Sequence, residues 1–180
     1  MRPIVVYIAA TLDGFIATRD DSLQWLFSVE GEGDNGYGEF IATVDTIVMG
    51  RRTYDWLLRE VGEENFPYRE QRCYVLSHTS QGQNEHVTFW NGDVLTLARQ
   101  LRAQEGKRIW LVGGGELIQA FAQLQLVDEW ILTLAPVLLG EGIPLFAQPG
   151  APANLRLMGM RRFGQFAELH YETVHPAPDA

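Results

Sequence analysis

Residues 108–121 read RIWLVGGGELIQAF, and three consecutive glycines, Gly113, Gly114 and Gly115, stand between an apolar run and a segment with helical spacing. Glycine costs backbone entropy, and three in a row exceed what a simple turn requires. A strand that ends in bare backbone and enters a helix at once presents unpaired amides and a partial positive charge, a natural seat for a phosphate. A tight turn with close packing of helix on sheet accounts for the stretch equally well. The Rossmann fingerprint G-x-G-x-x-G fails, because its third glycine position is Ile118, and no Lys-Ser/Thr follows to make a P-loop.

Working outward, PIVVYIAA (3–10) and DTIVMG (45–50) are short continuous apolar runs, which suits strands buried on both faces. RRTYDWLLRE (51–60) places Tyr54, Leu57 and Leu58 on one helical face, and DVLTLARQLRAQ (93–104) opens on an N-cap aspartate. RCYVLS (72–77) and HVTFW (86–90) predict further strands. VDEWILTLAPVLLG (127–140) predicts a long strand that ends or bends near Pro136. LRLMGMRRFGQFAELHYETV (155–174) predicts two strands turning near residues 163–165. The expected fold is α/β in three layers, a mostly parallel sheet covered on both faces and closed by a C-terminal antiparallel hairpin. No repeat or linker interrupts the chain, so one domain is expected over 1–175 with a disordered tail at 176–180.

Composition narrows the function. A net charge of −9 argues against affinity for nucleic acid or an anionic membrane surface, which reward clustered Lys and Arg. The one cysteine, Cys73, permits no intramolecular disulfide and fits a reducing cytoplasm. The longest apolar stretch is about half a membrane span and contains Pro136.

In an open parallel sheet the ligand sits beyond the carboxyl ends of the strands, here TLDG, MGRRT, LSHTS and VGGGE. Arg51 and Arg52 carry forked cationic donors at a helix start, where a cation opposes the dipole unless an anion answers it. Thr53 is placed to cap that helix or to donate to an oxygen. Ser77 and His78 are short polar groups at a strand end, suited to a plain turn or to a second phosphate. Asp13 is a turn former or a proton carrier, and Trp25 is a lid over a flat ring or a core plug.

Together AATLDGFIA, a tryptophan about eight residues later, IVMGRRTYDWL, YVLSHTS, IWLVGGGELIQAF and DEWILTLAPVLLGEGIPLF resemble the dihydrofolate reductase-like superfamily. Within it, TLDGFIA, LVGGGEL and APVLLGEGIPLF look most like the C-terminal reductase domain of the riboflavin-biosynthesis deaminase-reductase. The resemblance implies a dihydrofolate reductase-like fold and an NADPH-dependent reductase that passes hydride to a pyrimidine or pteridine-like substrate. It implies Gly50, Arg51, Arg52 and Thr53 at the phosphates, and Leu76, Ser77 and His78 near the adenosine 2′-phosphate. Gly113, Gly114, Gly115 and Glu116 would meet the pyrophosphate and nicotinamide side, with Leu117 counted among the cofactor contacts and Ala9 and Ile16 flanking the nicotinamide. It also implies a cis peptide between Gly113 and Gly114, a substrate-side role for Thr133, and a homodimer, for which the apolar strand 130–139 is the expected interface.

One departure stands out. Dihydrofolate reductases carry an acid about five residues after the tryptophan and four before a phenylalanine. The first spacing selects Glu30 and the second selects Gly36, with Asp34 nearby, so no single acid meets both. Asp13, Glu30 and Asp34 are the candidate carboxyls for binding the ring or relaying a proton. The favoured substrate is 5-amino-6-(5-phosphoribosylamino)uracil, with dihydrofolate and a non-catalytic NADPH-binding dimer as alternatives. The deaminase half, with its zinc signature H-x-E and P-C-x-x-C, needs more cysteines than Cys73, so no metal is expected.

Overall fold

The computed structural model describes residues 1–147 and 150–175. The tail expected to be disordered, 176–180, lies outside the described residues. The chain runs β1 (Ile4–Thr11), β2 (Phe15–Ala17), α1 (Gln24–Phe27), α2 (Tyr37–Ile41), β3 (Val44–Gly50), α3 (Arg51–Val61), β4 (Arg72–Leu76), β5 (Gly82–Gln83) and β6 (Val87–Trp90). It continues through α4 (Val94–Arg102), β7 (Arg108–Gly113), α5 (Gly115–Gln123), β8 (Glu129–Ala135), β9 (Ile143–Pro144), β10 (Asn154–Phe163) and β11 (Phe166–Val174).

Nine strands form one sheet in the order β10-β11-β8-β1-β7-β3-β4-β6-β5. The ladders from β8 across to β6 are parallel, and the β11 and β10 pairings at one edge are antiparallel. β1 lies between two parallel partners, which is why Ile4, Val5 and Val6 are all fully buried and its sequence shows no polar alternation. Successive residues of the strands face opposite cores. Ile4, Val6, Ala10, Ile109 and Leu111 pack under α4 and α5 through Leu97, Leu101, Ile118 and Phe121. Val5, Ile47, Met49 and Trp110 pack under α2 and α3 through Phe40, Tyr54 and Leu57. Helices on both faces of the sheet give the three expected layers.

β8 stops at Ala135, directly before Pro136, and the terminal hairpin turns at residues 164–165. A small ribbon, β2 with β9, was not anticipated: Phe15 pairs with Pro144, and the Leu145 amide donates to the Gly14 carbonyl at 2.9 Å. The strand 130–139 expected at an interface divides in the structure: β8 ends at Ala135, and Leu138 beyond it is 74% exposed. β8 is an interior strand with both ladders filled, by β1 and β11, and Trp130, Ile131 and Ala135 are buried. The edge strand on that side is β10, whose Leu155, Leu157, Met158 and Met160 are exposed.

Candidate functional site

Two strand-to-helix turns meet at the carboxyl end of the sheet. β3 and β7 are parallel neighbours, with Met49 opposite Gly113, so the turns that follow them lie side by side. A Cβ built on Gly50 would stand 3.8 Å from the Gly114 nitrogen and 3.9 Å from the Gly113 oxygen. One built on Gly114 would stand 3.6 Å from Thr53 Oγ1. The Gly113–Gly114 peptide is cis, as the resemblance implies. Gly113 has φ +137°, a conformation that side chains rarely adopt, and a Cβ on Gly115 would come 2.8 Å from the Pro144 carbonyl oxygen. Two of the three glycines thus have separate causes, backbone conformation at Gly113 and packing on β9 at Gly115, while a Cβ on Gly114 would make only an ordinary contact.

Both helices that start here, α3 with N-cap Gly50 and α5 with N-cap Gly114, have no side-chain cap. Their first amides and dipoles converge on the same space, an arrangement suited to a phosphate or pyrophosphate. The Leu117 and Ile118 amides turn back onto the Gly114 carbonyl, at 3.0 and 3.1 Å. Leu117, expected among the cofactor contacts, has its side chain in the core with Phe121 and its amide engaged. Glu116 is exposed beside it. Ile16 reaches within 3.7 Å of the Gly115 Cβ position, so the β2–β9 ribbon closes one side of the cleft.

The two arginines diverge. Arg51 donates to Asp55 Oδ1 at 2.7 Å and to Ser80 Oγ, with its guanidinium 5.7 Å from the Phe89 ring centroid. Arg52, 69% exposed, turns the other way to Asp21 at 2.7 Å. Leu76 ends β4 and packs on the core. Ser77 is buried, and its hydroxyl accepts the Thr79 and Ser80 amides at 3.3 and 3.0 Å, so it builds the turn that carries Ser80. His78 is exposed. The cation and this turn are thus brought together, through Ser80, a residue the sequence reading passed over.

The candidate acids are placed elsewhere in role. Asp13 Oδ1 accepts from the Thr11 hydroxyl at 2.6 Å and the Leu139 amide at 3.1 Å, and Oδ2 accepts from the Gly140 amide at 2.7 Å. The Thr11 hydroxyl, then the Gly140 amide, hold this carboxyl below its ordinary range, which suits a clasp on the 139–140 loop and not a proton carrier. Asp34 accepts the Gly36 and Gly38 amides at 3.0 and 2.7 Å and fixes the entry to α2. Glu30 is exposed, and its carbonyl accepts the Gln165 amide at 2.9 Å, tying the loop to the terminal hairpin. Trp25 is 7% exposed and packs with Ala135, Phe166, Ala9 and Phe163.

The acid that the fold does bury is Glu168, 3% exposed. β1, β8, β11 and β10 place Ala9, Thr133, Glu168 and Arg161 in one row of directly paired positions. Arg161 Nε donates to Glu168 Oε1 at 2.7 Å and Nη1 to Glu39 Oε2 at 2.7 Å. Glu168 Oε2 and Trp25 Nε1 are buried and have no hydrogen-bond partner among the described residues. On the neighbouring position of this face, Tyr7 stacks on Phe40 with centroids 3.9 Å apart. Burial first, and the Glu168 charge second, push its phenol up to about 12. The signal for Glu168 was present in FAELHYETV, where alternation puts it on the inward face with Phe166.

The family model described as RibD C-terminal domain matches residues 2–167. The uncharacterised Bacillus subtilis proteins YwjB and YyaP are 45% and 35% identical, the first over 94% of this chain and 97% of its own length, the second over 90% and 89%. The riboflavin biosynthesis protein RibD of Corynebacterium ammoniagenes is 28% identical over 82% of this chain and 47% of its own length. A crystal structure from Shewanella sp. PV-4, provisionally named for riboflavin biosynthesis, superposes with a TM-score of 0.85 at 30% identity, covering 96% of this chain and 99% of that one. The bifunctional deaminase and 5-amino-6-(5-phosphoribosylamino)uracil reductase of Thermotoga maritima superposes with a TM-score of 0.70 at 16% identity. The match covers 96% of this chain and 57% of that one, and the likeness is of fold.

Proposed function

The chain belongs to the RibD C-terminal domain family, and we propose that it is an NADPH-dependent reductase acting on a pyrimidine or pteridine-like ring, 5-amino-6-(5-phosphoribosylamino)uracil in the first instance. The observation that carries this reading is the meeting of two uncapped helix starts over glycines that leave the backbone accessible. Bare amides at Gly50–Thr53 and Gly114–Glu116 fit a pyrophosphate, and Arg51 beside the Ser77–Ser80 turn fits a further phosphate on the adenosine side. When bound, the nicotinamide supplies the hydride. The chain's own residues hold the cofactor, cover one side of the cleft with the β2–β9 ribbon, and orient the substrate along the Ala9–Thr133–Glu168 row.

Dihydrofolate as substrate loses support, since Asp34 is spent on the start of α2 and Glu30 is exposed. A non-catalytic NADPH-binding protein would keep the same cleft. Fluorescence titration with NADPH and NADH, followed by loss of NADPH absorbance with the phosphoribosylaminouracil and with dihydrofolate, separates the three. Failure to bind either nucleotide would sink the reductase and the binder alike, and binding without turnover of either substrate would favour the binder. We also propose a cytoplasmic homodimer joined along β10, whose exposed Leu157 and Met160 lie on an edge strand. Sedimentation of a Leu157→Glu, Met160→Glu variant as a monomer, against a dimer for the parent chain, is the expected result.

A further inference from the structure

We propose that Glu168 reads the substrate ring: its Oε2, the Thr133 hydroxyl and the Trp25 indole N–H form one polar edge that recognises a ring N–H lying beside a carbonyl. The proposal deepens the reductase reading and rests on it for the identity of the cleft. It starts from two buried polar atoms without partners among the described residues, one an acceptor and one a donor. A carboxylate that is 3% exposed is expensive to bury, and Arg161 answers only Oε1. A purely structural ion pair has no use for a second oxygen held dry and unbonded, and natural structures rarely tolerate one.

The two orphans share a neighbourhood. Trp25 packs on Phe166 and Ala135, each two residues along its strand from Glu168 and Thr133 and on the same face. Thr133 lies directly between Glu168 and Ala9 in the strand register, and its hydroxyl makes no hydrogen bond among the described residues. The row therefore offers an acceptor, a hydroxyl of either sense and an indole donor, the complement of N–H next to C=O. A pyrimidine-2,4-dione or a pteridin-4-one presents that edge. A plain hydrocarbon or a phosphate does not, because the carboxylate would repel the second and stay unpaired beside the first.

The test uses uracil and 1,3-dimethyluracil as probes, observed by saturation-transfer NMR with the full chain, with and without saturating NADPH. Uracil should bind, and methylation of both ring N–H groups should weaken it about tenfold or more. Glu168→Gln keeps an oxygen for Arg161 but turns the free acceptor into a donor. It should weaken uracil by a similar factor, abolish the discrimination against 1,3-dimethyluracil, and leave the NADPH titration and melting temperature as they were. Trp25→Phe removes the indole donor together with part of a packed ring, and should weaken uracil with the discrimination retained, a second reading should Glu168→Gln fold poorly. Equal binding of both probes, or Glu168→Gln behaving as the parent, would overturn the proposal and leave the reductase reading standing. Uracil binding that depends on Glu168 in a chain that ignores NADPH would keep the ring site and sink the reductase.

Discussion

The two ends of the sheet treat polar groups in opposite ways. At the amino ends of the parallel strands the charges answer one another. Arg2, 4% exposed, donates to Asp45, to Thr46 Oγ1 at 2.7 Å, to the Lys107 carbonyl at 2.9 Å and to the Leu101 carbonyl at 3.2 Å. Arg102 meets Asp128 at 2.6 Å, and Asp128 also accepts the Ile4 amide at 2.7 Å. Arg108 meets Glu129 at 2.9 Å, which His170 also contacts at 2.9 Å. Arg102 Nε is the exception there, buried without a partner among the described residues. At the carboxyl ends two helices begin without a side-chain cap, and a buried carboxylate oxygen and an indole N–H lack partners among the described residues. The concavity at the amino ends, lined by Arg2, Arg102, Lys107 and Arg108, has its cations already engaged. Polar groups satisfied by the fold hold it together; polar groups withheld from it are available to a ligand.

The comparison is broken most directly at the closed end. Arg2→Ala removes a buried cation and leaves Asp45 and Thr46 without it, at an expected cost of about 3 kcal/mol, read as the shift in denaturant midpoint. The fraction that remains folded should bind NADPH as before. A parallel loss of NADPH affinity would show that the two ends are energetically coupled and that the division of labour is false.

The opposite outcome is expected of Gly50→Ala. Gly50 has φ −75°, which alanine adopts freely, and its Cβ would make only ordinary contacts at 3.8 and 3.9 Å. Stability should fall by about 1 kcal/mol or less, the cost of alanine at an N-cap. NADPH affinity should fall about tenfold or more, because the methyl enters the space where both sets of amides converge. Titration of cofactor fluorescence checks it, and unchanged affinity would move the pyrophosphate away from this junction.

The closed end was less legible in the sequence than the open one, and the reason is physical. Strand runs, helix starts and the glycine turns are local patterns, so β1, β3, β7, α3 and α5 could be read from periodicity and punctuation within a few residues. Arg2 with Asp45 and Arg102 with Asp128 are contacts across 43 and 26 positions of chain, and nothing local announces them. Glu168 failed for the same reason: its inward register was readable, but its neighbours Thr133 and Ala9 arrive from other strands. Asp13 drew attention by its place at a strand end and Glu30 and Asp34 by their spacing from Trp25 and Phe40, whereas the loops they sit in engage or expose them. The interior position of β8 depended on where the C-terminal hairpin docks, which spacing cannot give.

Within the open end, Arg51 and Arg52 sharpen the contrast on a smaller scale. Arg51→Ala should weaken NADPH by roughly tenfold and NADH little, as expected for a charge-assisted bond to the extra phosphate. Arg52→Ala, which removes an exposed cation paired with Asp21, should change both nucleotides by less. Equal weakening of NADPH and NADH by Arg51→Ala would instead place that side chain at the pyrophosphate.

The smallest expected effect is a change of slope. Burial alone would push the Asp45 carboxyl up, but the Lys107 amide, the Thr46 hydroxyl and the Arg2 and Arg72 guanidinium groups outweigh it and hold the carboxyl below its ordinary value. A carboxyl whose folded value is depressed binds protons more readily in the unfolded chain. Its contribution is therefore complete above the unfolded value near pH 4 and is lost as pH falls through the folded one. Asp45→Asn has no such charge to lose. Its denaturant midpoint should lie below that of the parent chain at neutral pH, and the gap should close as pH drops below about 4, because the parent then surrenders what the variant never had. Parallel midpoint curves down to that range would mean that the Arg2 network holds the closed end by hydrogen bonding and packing alone, with the Asp45 charge contributing nothing that protons can remove.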